Sequence, residues 1–355
     1  MTTLLYVFLA ILLFGFLIVI HELGHYLFAR LFKVTINEFS IGMGNSIFSH
    51  VSKKTGIIYS LRLFPIGGYV SMVGENGDSD DPNAFSKKPA WQRLIIIAAG
   101  ATVNLAFGLL LMLLLVCMTA SGGIYTNKVG GYVDDPNYQI TSNAYIQPND
   151  IITKIGNQRT YNAYDVSYEI MRKGNQPINV TVKRNGQIVV LEDVVFPVTV
   201  SNGVEFGYID FRIIAEEANV GNVLLHTAQR SMLTVRMVWE SLYDLITGRY
   251  GVEAVSGPVG ITETIVGATD EAVKTKDYSS VVYLAAVICI NLGVMNLLPV
   301  PALDGGRLVF IFIELLFRKP VPQNIEGYIH GIGMYLLLAL MVLISLKDVW
   351  GLIFR

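Results

Sequence analysis

Four stretches of the chain carry no charged side chain over lengths that can cross a lipid bilayer, and they limit the fold more than any other feature. They run from Leu4 to Ile20, Leu94 to Ala120, Val281 to Leu303 and Tyr328 to Leu346. A transmembrane helix needs roughly 20 predominantly apolar residues, range about 17–25. Composition agrees: 15% of the residues are charged and 52% hydrophobic, whereas soluble domains carry about 25% charged residues. Disorder is excluded and a purely soluble fold disfavoured. The formal net charge of −2 supplies no basic field for nucleic acid. Cys117 and Cys289 both fall inside apolar runs and read as small buried hydrophobes, not as a disulfide framework.

The first run has no basic residue before it and no small-x-small cleavage site after it, so it reads as a retained span and not a signal peptide. The segment from Tyr26 to Arg93 carries eight Lys/Arg against five acidic residues. By the positive-inside rule that segment is cytoplasmic and the N-terminus lies outside. One span later, residues 121–280 are then extracytoplasmic. Their sequence reads as a folded domain. Asp150 to Ile155 is a strand, and Tyr164 to Arg172 a short helix ending near Gly174. Ile178 to Lys183 and Ile188 to Leu191 are β-rich and joined through Asn185-Gly186, a dipeptide favoured in tight hairpins. Further on, Leu225, Ala228, Met232, Val235, Trp239, Leu242 and Ile246 form one apolar stripe on a long helix ended by Gly248. The sequence leaves open whether that stripe packs on the protein or lies on the outer membrane face.

The chemistry concentrates in His21-Glu22-Leu23-Gly24-His25. On a helix, positions i and i+4 share a face, so both imidazoles can reach one Zn²⁺ while Glu22 serves as general base. Ionisable groups at the end of an apolar span are costly and mark function. A hydrolytic zinc site takes three protein ligands and keeps one position open. His50, His226 and His330 read as solvated or interface residues. Asp304, in the Asn296-to-Gly306 stretch, is the better third ligand, because the first and third spans end on the same side of the membrane. Asn296 is an amide in a span, and reads either as orienting substrate or as joining helices.

His21-Glu-Leu-Gly-His25 and Asn296-Leu-Leu-Pro-Val-Pro-Ala-Leu-Asp-Gly-Gly306 resemble the paired signatures of the site-2 protease family of intramembrane zinc metalloproteases. Phe39-Ser-Ile-Gly-Met-Gly44 and Pro65-Ile-Gly-Gly-Tyr-Val70 resemble the cytoplasmic-side β-hairpin of its bacterial members. Ala84 to Pro89 with Arg93, and Ala99-Gly100 with Asn104, resemble their entry into the second span. Ser256-Gly-Pro-Val-Gly260 is similar to their approach to the third. The resemblance implies one PDZ-like domain outside, with Asn149-Asp150 standing where Gly-Asp is usual. It also implies substrate contacts at Gly42 and Gly44.

The expected fold is an α-helical polytopic membrane protein. It has four transmembrane helices, a cytoplasmic-side β-hairpin region and one extracytoplasmic PDZ-like α+β domain. Residues 1–30 form the first helix, 31–93 the cytoplasmic loop with the hairpin, and 94–120 the second helix. The PDZ-like domain occupies 121–200, a post-PDZ region with an amphipathic helix 201–280, and the third helix 281–306. A cytoplasmic loop follows over 307–327, then the fourth helix over 328–346 and a tail over 347–355. The expected function is zinc-dependent cleavage of single-pass membrane proteins in or near their spans, at the cytoplasmic face of the cell membrane. The metal ligands are His21, His25 and Asp304, and the general base is Glu22. The resemblance implies anti-sigma factors or remnant signal peptides as substrates. The alternatives are a metal transporter and a membrane-anchored PDZ scaffold without protease activity. Membrane lipid is an expected partner and nucleic acid is not.

Overall fold

The computed structural model describes residues 2–75, 77, 79–132, 140–201, 204–249 and 256–353. The chain divides into two compact units, Met1–Leu111 with Val238–Arg355, and Met112–Met237.

Four helices contain candidate spans: α1 (Thr2–Leu31), α2 (Ala90–Thr119), α6 (Ser279–Asn296) and α8 (Gln323–Ile353). Tyr335, Leu336 and Leu343 on α8 are exposed. Apolar side chains turned outward, over a backbone bonded within its own helix, suit a lipid environment. The protein is thus a multi-pass membrane protein. Helix α1 does not stop at Ile20 but continues through His21 and His25 to Leu31, which places both imidazoles on one helical face.

The third apolar run departs from expectation. Helix α6 ends at Asn296, and the amides of Leu297 and Leu298 turn back to the carbonyls of Val294 and Met295, both at 3.1 Å. Pro299 and Pro301 then forbid helix, since each lacks an amide hydrogen and biases its predecessor away from the α region. A new helix, α7 (Asp304–Phe317), opens with Asp304 in its first turn, where a carboxylate suits the helix dipole. Residues 307–317, expected in a cytoplasmic loop, are therefore helical. Asn296 and Asp304 stand on different elements rather than on one span. A further helix, α5 (Pro258–Thr275), was not foreseen. Its Pro258 is favoured in the first turn, and its N-terminus is capped by Asp348 of α8. That carboxylate accepts the amides of Gly257 (2.8 Å) and Gly260 (3.0 Å).

Strands β1 (Ile36–Val51) and β2 (Ile58–Met72) pair in a register that folds back on itself, antiparallel between 36–41 and 68–72 and between 48–51 and 58–61. Phe39 lies opposite both Val70 and Tyr59, and Tyr59 opposite both Phe39 and His50. The segments therefore run in the order 68–72, 36–41, 58–61, 48–51, leaving the first and last as edges. Gly42 and Gly44, at φ +86°, take the left-handed backbone that this fold-back needs. Inside the sheet, hydrogen bonds from Ser60, Tyr69 and Arg62 outweigh the cost of burial and hold the Glu38 carboxyl below its ordinary pKa. One apolar core ties the hairpin to the helices: Ala29 of α1, Ile36, Val70, Met72, Ile96 and Ile97 of α2, and Ile311 of α7. Each such aliphatic side chain contributes about 1.5–3 kcal/mol when fully buried.

The second unit is α+β. Its six-stranded sheet runs β10 (Phe211–Glu216), β3 (Ile124–Tyr132), β4 (Ile151–Ile155), β6 (Ile178–Arg184), β7 (Gln187–Val194), with β5 (Gln158–Arg159) paired to β4. A two-stranded ribbon, β8 (Val198–Ser201) and β9 (Val204–Gly207), stands apart from it. Helix α3 (Ala163–Lys173) is capped by Asn162, whose side chain accepts the amides of Tyr164 and Asp165. Val129, Ile152, Ile155, Ile170, Val180 and Phe196 form its core. Asn149 takes φ +71°, a left-handed conformation that Asn tolerates better than most residues, so the altered Gly-Asp step keeps its turn.

Helix α4 (Val220–Ile246) turns its polar side inward. His226, Thr227, Arg230 and Thr234 are buried, while Leu225, Met232, Trp239 and Ile246 are exposed. The predicted stripe faces away from the protein. Arg236 pairs with Glu169 (2.8 Å), and the Arg230 guanidinium lies 3.8 Å from the centre of the Tyr164 ring. His226, expected to be solvated, is buried beside that ring. Burial and the Arg230 charge lower its pKa to about 4.

An unfolded imidazole takes a proton below about 6.5, while the folded one resists until about 4. The unfolded state binds more protons in that window, so stability falls as pH drops through it, by up to about 1.4 kcal/mol per pH unit. Amide-exchange protection of α3 and α4 in the full chain should weaken across it, and His226→Phe should flatten the dependence. An unchanged slope in that variant would assign the effect to other groups.

Candidate metal centre

Three side chains from two elements converge. The Nε2 atoms of His21 and His25 are 3.1 Å apart, and Asp304 Oδ2 lies 3.0 Å from the first and 3.2 Å from the second. Both histidines are buried. Among the described residues this trio is the one group of His, Cys, Asp or Glu placed to hold a metal.

The surroundings fix which nitrogen faces inward. His25 Nδ1 stands 2.9 Å from the carbonyl of Ile96 on α2. A carbonyl can only accept, so Nδ1 carries the proton and Nε2 presents its lone pair to the centre. His21 Nδ1 lies 3.5 Å from the amide of Asn104, also on α2. Asp304 Oδ2 is buried and has no hydrogen-bond partner despite its two short approaches to nitrogen. Three electron-pair donors about 3 Å apart, with no proton assigned between them, repel unless a cation lies among them. Tetrahedral zinc with bonds of about 2.0–2.1 Å keeps its ligands roughly 3.3 Å apart. The donor set therefore fits zinc.

Helix α2 can approach because it is small here. A Cβ on Gly24 would lie 2.5 Å from the Ala99 carbonyl oxygen. A Cβ on Gly100 would overlap His25 Nε2 and sit 2.8 Å from His21 Nε2. Glu22, half-buried, stands beside the trio without belonging to it: its Oε2 accepts the Val70 amide at 3.1 Å. The base thus stands against the 68–72 edge of the hairpin, where a Cβ on Gly68 would be 3.6 Å from Glu22 Cγ.

The remaining candidates fall as follows. Asn296 is half-buried at the end of α6. Gly42 and Gly44 lie at the fold-back, Gly42 against the Phe64 carbonyl and Gly44 against its ring. The hairpin residues that the structure brings to Glu22 are Gly68 and Val70 instead. His50 is exposed on β1, and His226 belongs to the other unit. His330, half-buried, has a partner that the sequence did not reveal: its Nδ1 accepts the Ala302 amide at 2.9 Å. Sequence reasoning missed the roles of Asn104 and His330, although each is a polar residue in an apolar run. The Ile96 carbonyl has no sequence signal at all.

Two imidazoles and one carboxylate leave a fourth position of tetrahedral zinc open, the coordination used by the metallohydrolase class. The profile of peptidase family M50 matches residues 9–340. A Fusobacterium nucleatum relative, named by inference as a zinc metalloprotease, is 36% identical, with 97% of this chain and 98% of the relative covered. A Clostridium acetobutylicum relative, named in the same way, is 35% identical, with 96% of each covered. The regulator of sigma-W protease RasP of Bacillus subtilis is 27% identical, with 96% of this chain and 97% of the relative covered. The chain belongs to peptidase family M50, the site-2 type of zinc metalloprotease.

Gly100→Ala puts a methyl group where the imidazoles lie. The purified variant should keep its helix content but lose zinc. Zinc at one equivalent per chain in that variant would contradict the packing described.

Proposed function

We propose that the chain hydrolyses peptide bonds in or near the membrane-spanning segment of single-pass membrane proteins, with His21, His25 and Asp304 as zinc ligands and Glu22 as general base. The convergence of those three donors beside Glu22 carries the reading. Zn²⁺ bound there supplies a Lewis acid that polarises the scissile carbonyl and lowers the pKa of water toward about 7. Glu22 takes the proton of the attacking water on a carboxylate oxygen and passes it to the leaving amine nitrogen. The Val70 amide holds that carboxylate in place. Asn296 acts as a substrate-orienting amide in this reading, and His25 is kept in the reactive tautomer by Ile96.

A helical substrate offers no free carbonyl, because each is bonded to the amide four residues on. The 68–72 segment supplies the means to hold it extended. It is a sheet edge, it carries the amide that reaches Glu22, and an added strand would pass the base. Gly42 and Gly44 then serve the substrate indirectly, by forming the fold-back that puts this segment at the margin of the sheet.

Anti-sigma factors and remnant signal peptides are the substrate classes the reading favours, the former supported by the RasP relative's name. The loop between α1 and α2 faces the cytoplasm in this reading, on its excess of Lys and Arg. The 121–280 region is then extracytoplasmic, with a PDZ-like domain over 121–200. The exposed stripe of α4 lies on the outer lipid surface, an arrangement supported by the polar face that the helix turns inward.

Glu22→Gln keeps size and hydrogen-bonding reach but cannot accept a proton. It should retain about one zinc per chain while cleavage of a single-span substrate falls at least about 10²-fold. Near-normal cleavage would overturn the role of Glu22. Sidedness is tested with a membrane-impermeant thiol reagent in a background lacking Cys117 and Cys289. A cysteine at position 186 should react in intact cells, and one at position 53 only after permeabilisation. Reversed labelling would invert the topology.

A further inference from the structure

The loop between α6 and α7 delivers Asp304 to the two imidazoles through internal turns, from the Val300 amide to the Leu298 carbonyl (2.7 Å) and from the Leu303 amide to the Val300 carbonyl (3.2 Å). It contains two prolines and a non-glycine residue, Ala302, at φ +74°. L-residues with a Cβ seldom occupy that left-handed region, because Cβ crowds the following carbonyl. Ala302 therefore holds that conformation against its own preference, two residues before the carboxylate. The Leu303–Val300 bond closes a turn around it, and the partner of the Ala302 amide itself comes from outside the loop.

Helix α8 supplies it. His330 Nδ1 accepts the Ala302 amide at 2.9 Å. Since Nδ1 is the acceptor, the ring proton is on Nε2, and Nε2 is buried without a hydrogen-bond partner. The ring is held by Phe310 of α7, at 5.6 Å between centroids. Gly333, one turn further along α8, lies so close to Pro301 that a Cβ there would be 2.9 Å from the Pro301 carbonyl carbon. Gly306 is equally tight, with a would-be Cβ 3.1 Å from His330 Cε1 and 2.6 Å from the Val300 oxygen. The face of α8 formed by His330 and Gly333 thus grips the loop at Ala302 and Pro301, and its histidine makes one specific bond, at the strained residue.

We propose that His330 is a positioning residue of the metal centre: by accepting the Ala302 amide it keeps that residue in the left-handed conformation and so sets Asp304 against His21 and His25. The burial of an unpartnered Nε2–H is the expense of this arrangement, since an apolar side chain would pack there with no polar group to desolvate. His330 touches neither metal ligand nor reacting atoms and is not catalytic. The inference rests on the assignment of Asp304 as the third zinc ligand, and the test separates the two.

The measurement is zinc affinity by competition with a chromophoric chelator, on the purified full-length protein in detergent. His330→Leu removes the acceptor and should weaken zinc binding about 10- to 100-fold, the range for lost supporting hydrogen bonds around a metal. His330→Asn, whose amide oxygen can take the place of Nδ1, should stay near wild type. Ala302→Gly, which removes the penalty of the left-handed backbone, should restore most of the affinity when combined with His330→Leu. That rescue is something a merely structural role of His330 would not produce. Asp304→Ala serves as the reference. If it binds zinc as wild type does, the ligand assignment itself is wrong. If Asp304→Ala weakens binding but His330→Leu does not, or if His330→Asn fails as badly as His330→Leu, or if Ala302→Gly gives no rescue, the positioning role is overturned.

Discussion

A buried cluster of three electron-pair donors is the arrangement on which the rest of this structure depends. His21 and His25 Nε2 and Asp304 Oδ2 lie 3.0–3.2 Å from one another, and helix α2 closes over the two imidazoles. Glycines at 24 and 100 let α1 and α2 touch at the depth of the imidazoles. The Ile96 carbonyl then turns His25 so that its free lone pair faces the centre. Without that contact the ring could take either tautomer, and a proton rather than a lone pair could face the centre. Membrane helices have little hydrophobic drive to associate with one another, so close small-residue packing of this kind is what fixes their distance.

The hairpin is organised around the same point. Because β1 and β2 double back, the 68–72 segment is left as an edge and its Val70 amide falls on Glu22. One strand thus steadies the general base through its backbone amide. The apolar core shared by Ala29, Val70, Ile96 and Ile311 links the hairpin to α1, α2 and α7. Hairpin and metal donors therefore cannot shift independently. The second unit holds none of the groups proposed for the chemistry.

Much of this was legible in the sequence, and the parts that were not share a cause. The four spans, the imidazole pair and the Asp304 carboxylate were readable because apolar length and i,i+4 spacing are local properties. The strands and helix of the second unit were readable for the same reason, through Asn185-Gly186 and the run ending at Gly174. The break at Asn296 was signalled by Pro299 and Pro301, but charge-free composition through Leu303 concealed it. The approach of Val70 to Glu22 was not legible, because the fold-back that brings it there depends on pairing between distant segments. The direction of the α4 stripe was also non-local, since Arg236 turns toward the Glu169 carboxylate of α3 and Arg230 toward the Tyr164 ring. His330 looked like an interface histidine because nothing near it in sequence reveals that Ala302 is its partner.

The account stands on the identity of the three ligands, and zinc K-edge X-ray absorption of the purified protein tests it most directly. It predicts two imidazole nitrogens and carboxylate oxygen in the first coordination shell, at about 2.0–2.2 Å, with the carboxylate contribution lost in Asp304→Ala. A third imidazole, a sulfur ligand, or a spectrum unchanged by Asp304→Ala would contradict it.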